Sequence, residues 1–311
     1  MKKAFLFPGQ GSQKVGMVAD LHEKYDAVKA LLKEADNRLG FSISRMMFDG
    51  PDEELMKTEF TQPAILTASV AVSTVLREHG LTPDVVAGHS LGEYSALVTA
   101  GALSFSDAIH VVHLRGKYMQ EAVPLGEGGM AAIIALDAES IKDICNTIST
   151  EEKPVQAVNF NCPGQVVIAG ATEAVKQACN AMKEAGAKMA VMLKVSAPFH
   201  SIMMEPAAVK LKEVLDTVTI QDAQMPVYAN YNAAAEIKAD DIRKNLVLQA
   251  AHPVLWDASI QQMIADGADL MIEAGPGTVL SGFMKRINRR IRTLHAEDVE
   301  TVANVLNTWE E

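Results

Sequence analysis

The sequence predicts an α/β fold: a large domain built on a mostly parallel sheet, with a smaller βαββαβ unit inserted into it. Three observations carry this. Short apolar runs that end in glycine- or proline-containing loops alternate with stretches of helical periodicity. After Gly126-Glu127-Gly128-Gly129 the pattern changes to strand, helix, strand, strand, helix, strand. The first alternation resumes after Pro198.

Lys3 to Phe7 is an apolar run closed by Pro8-Gly9, the signature of a buried strand entering a loop, here the polar Gly9-Gln10-Gly11-Ser12-Gln13. Val15 to Leu39 carries helical periodicity. Thr61 to His79 reads as a helix capped by Thr61 and stopped by Gly80. Asp84 to Ala87, after Pro83, is a strand; Leu91 to Ala100 is a helix closed by Gly101; Ser104 caps a further helix running through Arg115 to about Ala122. In the middle of the chain, Met130 to Leu136 is a strand and Ala138 to Ser149 a helix. Val155 to Asn159 and Val166 to Ala169 are strands joined by the turn Cys162-Pro163-Gly164, Thr172 to Ala185 is a helix, and Lys188 to Val195 a strand. That order is the ferredoxin-like unit, and it divides the chain into residues 1–126 with 198–311, and an insertion over 127–197. Beyond it, Ile202 to Val218 and Pro253 to Asp266 are helical, Pro226 to Ala229 and Asp269 to Glu273 are strands, and Thr278 begins another helix after Gly275-Pro276-Gly277.

At 311 residues, with 49% apolar and 22% charged residues, the chain has the composition of a globular protein with a substantial core. It shows neither a signal-peptide pattern at Met1 to Phe7 nor an apolar stretch of the roughly 20 residues that span a bilayer, so a soluble, cytoplasmic protein with no membrane partner is expected. The net charge of −11 argues against nucleic acid as the main partner. Three cysteines, Cys145, Cys162 and Cys179, with no CxxC pair, fit small buried hydrophobes rather than a disulfide framework or a zinc site, and no metal is expected.

The strand Asp84 to Ala87, the run Gly88-His89-Ser90-Leu91-Gly92 and the helix that follows form a G-x-S-x-G nucleophile elbow in its proper context. The turn is too tight for side chains two positions to either side of the serine, hence Gly88 and Gly92. Ser90 is left at a helix N-terminus, where the dipole and unpaired N–H groups favour developing negative charge. The Leu91 N–H is a candidate oxyanion donor, and Gln10 in the first glycine-rich loop is a candidate second donor through its backbone. A phosphate loop is absent.

A serine hydroxyl needs a base. Of eight histidines, His200 is best placed, since Ser196-Ala197-Pro198-Phe199 leads from a predicted strand into a helix. His89 adjoins Ser90, where neighbouring side chains diverge. No acid between Ser90 and His200 stands at a strand end; Asp137 and Glu173 read as helix-start residues, so a backbone carbonyl is left as the orienting acceptor. Arg115 lies among Val111, Val112 and Leu114; it either snorkels to water or clamps a carboxylate with two parallel hydrogen bonds.

Phe7-Pro8-Gly9-Gln10-Gly11-Ser12-Gln13, Gly88-His89-Ser90-Leu91-Gly92-Glu93, Arg115-Gly116-Lys117 and Ala197-Pro198-Phe199-His200-Ser201 resemble, in order and spacing, the motif set of the malonyl-CoA:acyl-carrier-protein transacylase family. Val158-Asn159-Phe160-Asn161 with Pro163-Gly164-Gln165, and Glu273-Ala274-Gly275-Pro276-Gly277, belong to the same pattern; Cys162 stands where relatives often carry serine. The resemblance implies a hydrolase-like large domain, Ser90 as nucleophile, His200 as base, the backbone carbonyl of Gln249 as its orienter, Gln10 and Leu91 as oxyanion hole, and Arg115 as holder of the malonyl carboxylate. It implies an acyltransferase that moves malonyl from malonyl-CoA to the phosphopantetheine thiol of acyl carrier protein for fatty acid biosynthesis, with no cofactor of its own. Carrier proteins are acidic, as is this chain, so a basic patch is needed to steer them; Lys285, Arg286, Arg289, Arg290 and Arg292 supply one in sequence. The competing reading is a serine esterase or thioesterase using the same elbow with water as acceptor.

Overall fold

The computed structural model describes residues 1–195 and 197–310; Ser196 and Glu311 lie outside them. Ten strands are described: β1 (Lys2–Phe7), β2 (Val85–Gly88), β3 (Gly128–Ile134), β4 (Val155–Cys162), β5 (Gln165–Ala171), β6 (Met189–Met192), β7 (Val227–Tyr228), β8 (Ala235–Glu236), β9 (Ala268–Ala274) and β10 (Arg292–Ala296). They form two sheets.

The larger sheet has the order β10-β9-β1-β2-β7-β8, parallel throughout except for the β7–β8 pair. Its central strands are unbroken apolar runs because helices cover both faces: Ala4 to Phe7 and Val85 to Ala87 are fully buried. Phe7 is in register with Gly88. The loops leaving the carboxyl ends of β1 and β2 are therefore neighbours, and this is the edge where open α/β sheets build their sites.

The smaller sheet is antiparallel with the order β4-β5-β3-β6. The helices Ala138–Ile148 and Thr172–Glu184 pack on it over a separate core that includes Ile141, Ile168, Val175 and Met182. This is the ferredoxin-like βαββαβ arrangement. Asp137 caps the first of these helices by accepting from the Ser140 N–H. Cys145 and Cys179 lie in this core, and all three cysteines are buried free thiols. Val254, between the helices Ala239–Ala251 and Trp256–Ala265, exchanges backbone hydrogen bonds with Val158 and Phe160 of β4.

Several predicted elements differ in extent. Val15 to Leu39 is two helices, Ala19–Lys24 and Asp26–Leu39, broken where Tyr25 is extended. The helix assigned to Ile202–Val218 is a 3₁₀ turn, Ile202–Met204, followed by Glu205–Leu215. Strand β6 ends at Met192 rather than Val195. The helix predicted from Thr61 begins a turn earlier and spans Thr58–Glu78 with Pro63 inside it. Pro63 has no N–H for the carbonyl of Glu59. His113 donates to that carbonyl instead, through Nδ1 at 3.0 Å, which satisfies the orphaned acceptor and lets the helix pass through the proline. The sequence reading did not mark the helices Ala239–Ala251 and Val299–Thr308 or the strand β10; in the first of these, Asp240, Asp241, Arg243 and Lys244 break up the apolar pattern. Among the described residues no helix is long and apolar enough to cross a membrane.

Candidate active site

The elbow is built by contacts that only glycine permits. A Cβ on Gly88 would lie 1.9 Å from the backbone of Gly92, and one on Gly92 would lie 2.1 Å from the carbonyl oxygen of Phe7. Gly9, in the neighbouring loop, would meet the His89 carbonyl oxygen at 2.5 Å. The chain therefore turns back on itself and on β1 between strand and helix. Ser90 takes up the turn at φ 52, a left-handed conformation that costs a non-glycine residue about 1–2 kcal/mol. The helix Gly92–Thr99 starts directly behind it.

Ser90 Oγ lies 2.7 Å from Nε2 of His200. On the other side of the ring, Nδ1 is 2.8 Å from the backbone carbonyl of Gln249. A carbonyl can only accept, so Nδ1 carries the proton and Nε2 presents a lone pair to the serine hydroxyl. The tautomer is thus fixed as that of a general base, without a carboxylate. His200 is 3% exposed. Burial first, and the charge of Arg115 second, pull its pKa down to about 3, against the opposing pull of the Gln249 carbonyl. The ring stays neutral at physiological pH.

Arg115 is not a surface arginine. It is 1% exposed because Gly116 lets the helix Phe105–Glu121 approach Thr58 so closely that a Cβ there would be 2.6 Å from the Thr58 carbonyl oxygen. The guanidinium donates from Nη1 to Gln62 Oε1 at 2.7 Å, and from Nη2 to Gln249 Oε1 at 3.0 Å and to Ser90 Oγ at 3.2 Å. All three acceptors are neutral, and Nε has no partner among the described residues. A buried cation held by neutral acceptors beside a nucleophile is a site prepared for an anion.

The backbone N–H groups of Gln10 and Leu91 carry no hydrogen bond within the described chain, while the side chain of Gln10 is anchored on Thr58 Oγ1 at 3.3 Å. Both residues line one cavity of about 110 Å³ together with Gln62, Ser90, Arg115 and His200. That is little more than a third of the roughly 300 Å³ at which drug-sized pockets begin, so the space suits a short acyl group. Met119, Met130 and Phe199 form its apolar wall.

His89, the neighbour of Ser90 in the chain, is engaged elsewhere. His89 points away from the serine, with Nε2 2.8 Å from Asn161 Oδ1 and its ring against Trp256 and Phe283. Lys285, Arg289 and Arg292 border a surface cavity of about 530 Å³ at the end of the helix Val279–Ile287. Arg286 instead reaches β5, donating to Gln165 Oε1 at 3.1 Å. Phe283 ties this helix to the elbow through His89. Three participants had no sequence signal of their own: Gln62, Asn230 and the use of the Gln249 side chain. Glu93 had one, as the single acid in an apolar helix. Among the described residues no group of three or more His, Cys, Asp or Glu could hold a metal ion.

A model of the acyl transferase domain matches residues 4–310. Malonyl CoA-acyl carrier protein transacylase of Bacillus subtilis is 50% identical over 310 residues, covering 100% of this chain and 98% of that protein. This chain belongs to the acyl transferase family, within its malonyl-CoA:acyl-carrier-protein transacylases. Solved members of the family share its fold. An acyl carrier protein S-malonyltransferase from Vibrio cholerae superposes with a TM-score of 0.95 at 47% identity, over 98% of this chain and 100% of that one. A malonyl-transacylase in complex with a type II PKS acyl-carrier protein gives 0.96 at 46% identity, over 99% of both chains.

Proposed function

We propose that this transacylase-family chain moves a malonyl group from malonyl-CoA to the phosphopantetheine thiol of acyl carrier protein through a malonyl ester on Ser90, supplying malonyl-carrier protein for fatty acid biosynthesis. The observation that carries the acyl specificity is Arg115: a buried guanidinium within hydrogen-bond distance of the nucleophile, held by neutral acceptors only. An acetyl group offers it nothing, whereas the malonyl carboxylate pairs with it and is fixed in position by it.

In this reading Ser90 Oγ attacks the thioester carbonyl as its proton passes to Nε2 of His200. The oxyanion is held by the N–H groups of Gln10 and Leu91, at the positive end of the helix Gly92–Thr99. The C–S bond breaks, and CoA leaves as a thiol with the proton from His200. The carrier's thiol then gives its proton to His200 and attacks the malonyl ester. Ser90 leaves and is reprotonated, so atoms and protons balance over the cycle. The reading includes a cytoplasmic location and no cofactor of the enzyme's own, since CoA is product and phosphopantetheine belongs to the acceptor.

Residues 127–197 act here as an inserted ferredoxin-like subdomain on a hydrolase-like domain of residues 1–126 and 198–311; the separate sheet and separate core of β3 to β6 support that division. Lys285, Arg286 and Arg289 receive the acidic carrier, with Lys285 and Arg289 on the open basic cavity. Pre-steady-state loading tests the reading. Malonyl-CoA should release one equivalent of CoA in a burst and then stall until holo carrier protein is added. Steady CoA release without an acceptor would point instead to a thioesterase.

A further inference from the structure

Both backbone polar groups of the nucleophile are held by side-chain amides. Ser90 N–H donates to Asn230 Oδ1 at 2.6 Å, and the Ser90 carbonyl accepts from Gln249 Nε2 at 2.8 Å. The other end of the Asn230 amide donates from Nδ2 to the Gly88 carbonyl at 2.7 Å. One amide thus spans the turn from Gly88 to Ser90. Its orientation is dictated by the backbone: reversed, it would set two donors against each other at Ser90 and two acceptors at Gly88. The Asn230 amide is in turn fixed from behind, because its own backbone N–H donates at 2.9 Å to Oε2 of Glu93. That oxygen also accepts from Gln249 Nε2 at 3.1 Å. Asn230 and Glu93 are both completely buried.

We propose that Asn230 is a positioning residue for acyl transfer. Its amide holds Ser90 at its left-handed φ. By engaging the Ser90 N–H it also sets the turn so that the Leu91 N–H, which has no partner within the described chain, faces the reacting carbonyl oxygen. Asn230 sits at the end of β7, the strand beside β2, so the sheet itself delivers the amide to the elbow. Asn230 does not line the acyl cavity; it acts through Ser90 and Leu91. Arg115 bonds Gln62 and Gln249 and not Asn230; Asn230 Oδ1 meets the Gln249 amide only at 3.5 Å, and that amide is held more closely by the Ser90 carbonyl and Glu93.

The test is a split of kinetic constants. Asn230→Ala should lower the rate of Ser90 acylation by malonyl-CoA about 10- to 100-fold. It should leave KM for malonyl-CoA and the preference for malonyl over acetyl within about twofold of the parent, because Arg115 is untouched. Asn230→Asp keeps the acceptor for Ser90 N–H and loses the donor to Gly88, so it should lose less rate than Asn230→Ala. It also serves as the test variant if the alanine form does not fold. Inactivation by a fluorophosphonate, which needs Ser90 and its oxyanion hole but no malonyl recognition, should slow in parallel. Acylation at the parental rate in either variant overturns the proposal, as does a rate loss matched by an equal loss of malonyl-CoA affinity. The inference rests on Ser90 being the acylated residue. If the parent enzyme takes up no malonyl group at Ser90, that reading fails first, and the variants are not needed to show it.

Discussion

Replacing Arg115 by glutamine removes the charge and the fork and leaves a shorter, neutral polar side chain. Arg115 is 1% exposed, and its partners are Gln62, Gln249 and Ser90; in the proposed function the malonyl carboxylate would bring it an anionic hydrogen-bond partner inside the cavity. Two charge-assisted hydrogen bonds at about 1.5–3 kcal/mol each, discounted for non-additivity, give about 3–4 kcal/mol. That corresponds to a loss of about 10²- to 10³-fold in kcat/KM for malonyl-CoA. Acetyl-CoA carries no carboxylate, so its own small kcat/KM should hold or rise, and the malonyl-to-acetyl ratio should collapse by the same factor. A second signature comes from His200. The Arg115 charge is the second cause, after burial, of its low pKa near 3. In Arg115→Gln the acid limb of the acylation profile should therefore move to higher pH. Rapid-quench acylation with both thioesters, from about pH 4 to about pH 8, reads both effects. An unchanged malonyl-to-acetyl ratio, or an equal fall for both thioesters, would refute the carboxylate-clamp role.

Three further outcomes follow from the same geometry. His200→Ala should slow acylation about 10²- to 10⁴-fold while malonyl-CoA still binds; an equal loss of binding would show that the ring shapes the pocket rather than moving the proton. Lys285→Glu combined with Arg289→Glu should raise KM for carrier protein about tenfold and flatten its salt dependence, with KM for malonyl-CoA unchanged; equal effects on both substrates would move the docking surface elsewhere. Glu93, wholly buried and facing the charge of Glu236, has its carboxyl pushed up to about 8 from an ordinary 4.5. Between those values the folded protein holds a proton that the unfolded chain has released, so this group's contribution lowers stability as pH rises through the window. Urea unfolding at several pH values should therefore show the parent losing stability relative to Glu93→Gln toward pH 8, and curves that stay parallel would contradict it.

Much of the site was legible because its requirements are local. The glycines at 88 and 92 answer steric contacts within the turn, and the turn sits between a strand and a helix that the periodicity reveals. The β1 loop with Gln10 was legible for the same reason. Position singled out His200 among eight histidines, but what fixes it as the partner of Ser90 is a contact made across 110 residues together with a carbonyl acceptor that has no side-chain identity. Arg115 was ambiguous between solvent and site; the close helix approach at Gly116 decides it, and that distance belongs to packing. Asn230 and Gln62 had no signature, because an amide in a loop or in a helix breaks no period and carries no charge. The helix bearing Gln249 opens with charged residues and lacks an apolar stripe distinct enough to mark it.

The central claim is that Ser90 carries a malonyl group between two thiols. Intact mass of the enzyme mixed with malonyl-CoA, followed by peptide mapping, tests it most directly. One malonyl adduct should form, map to Ser90, be absent in Ser90→Ala, and disappear on addition of holo carrier protein with matching gain of malonyl on the carrier. An adduct on another residue, or one that persists in the presence of the carrier thiol, would contradict the account.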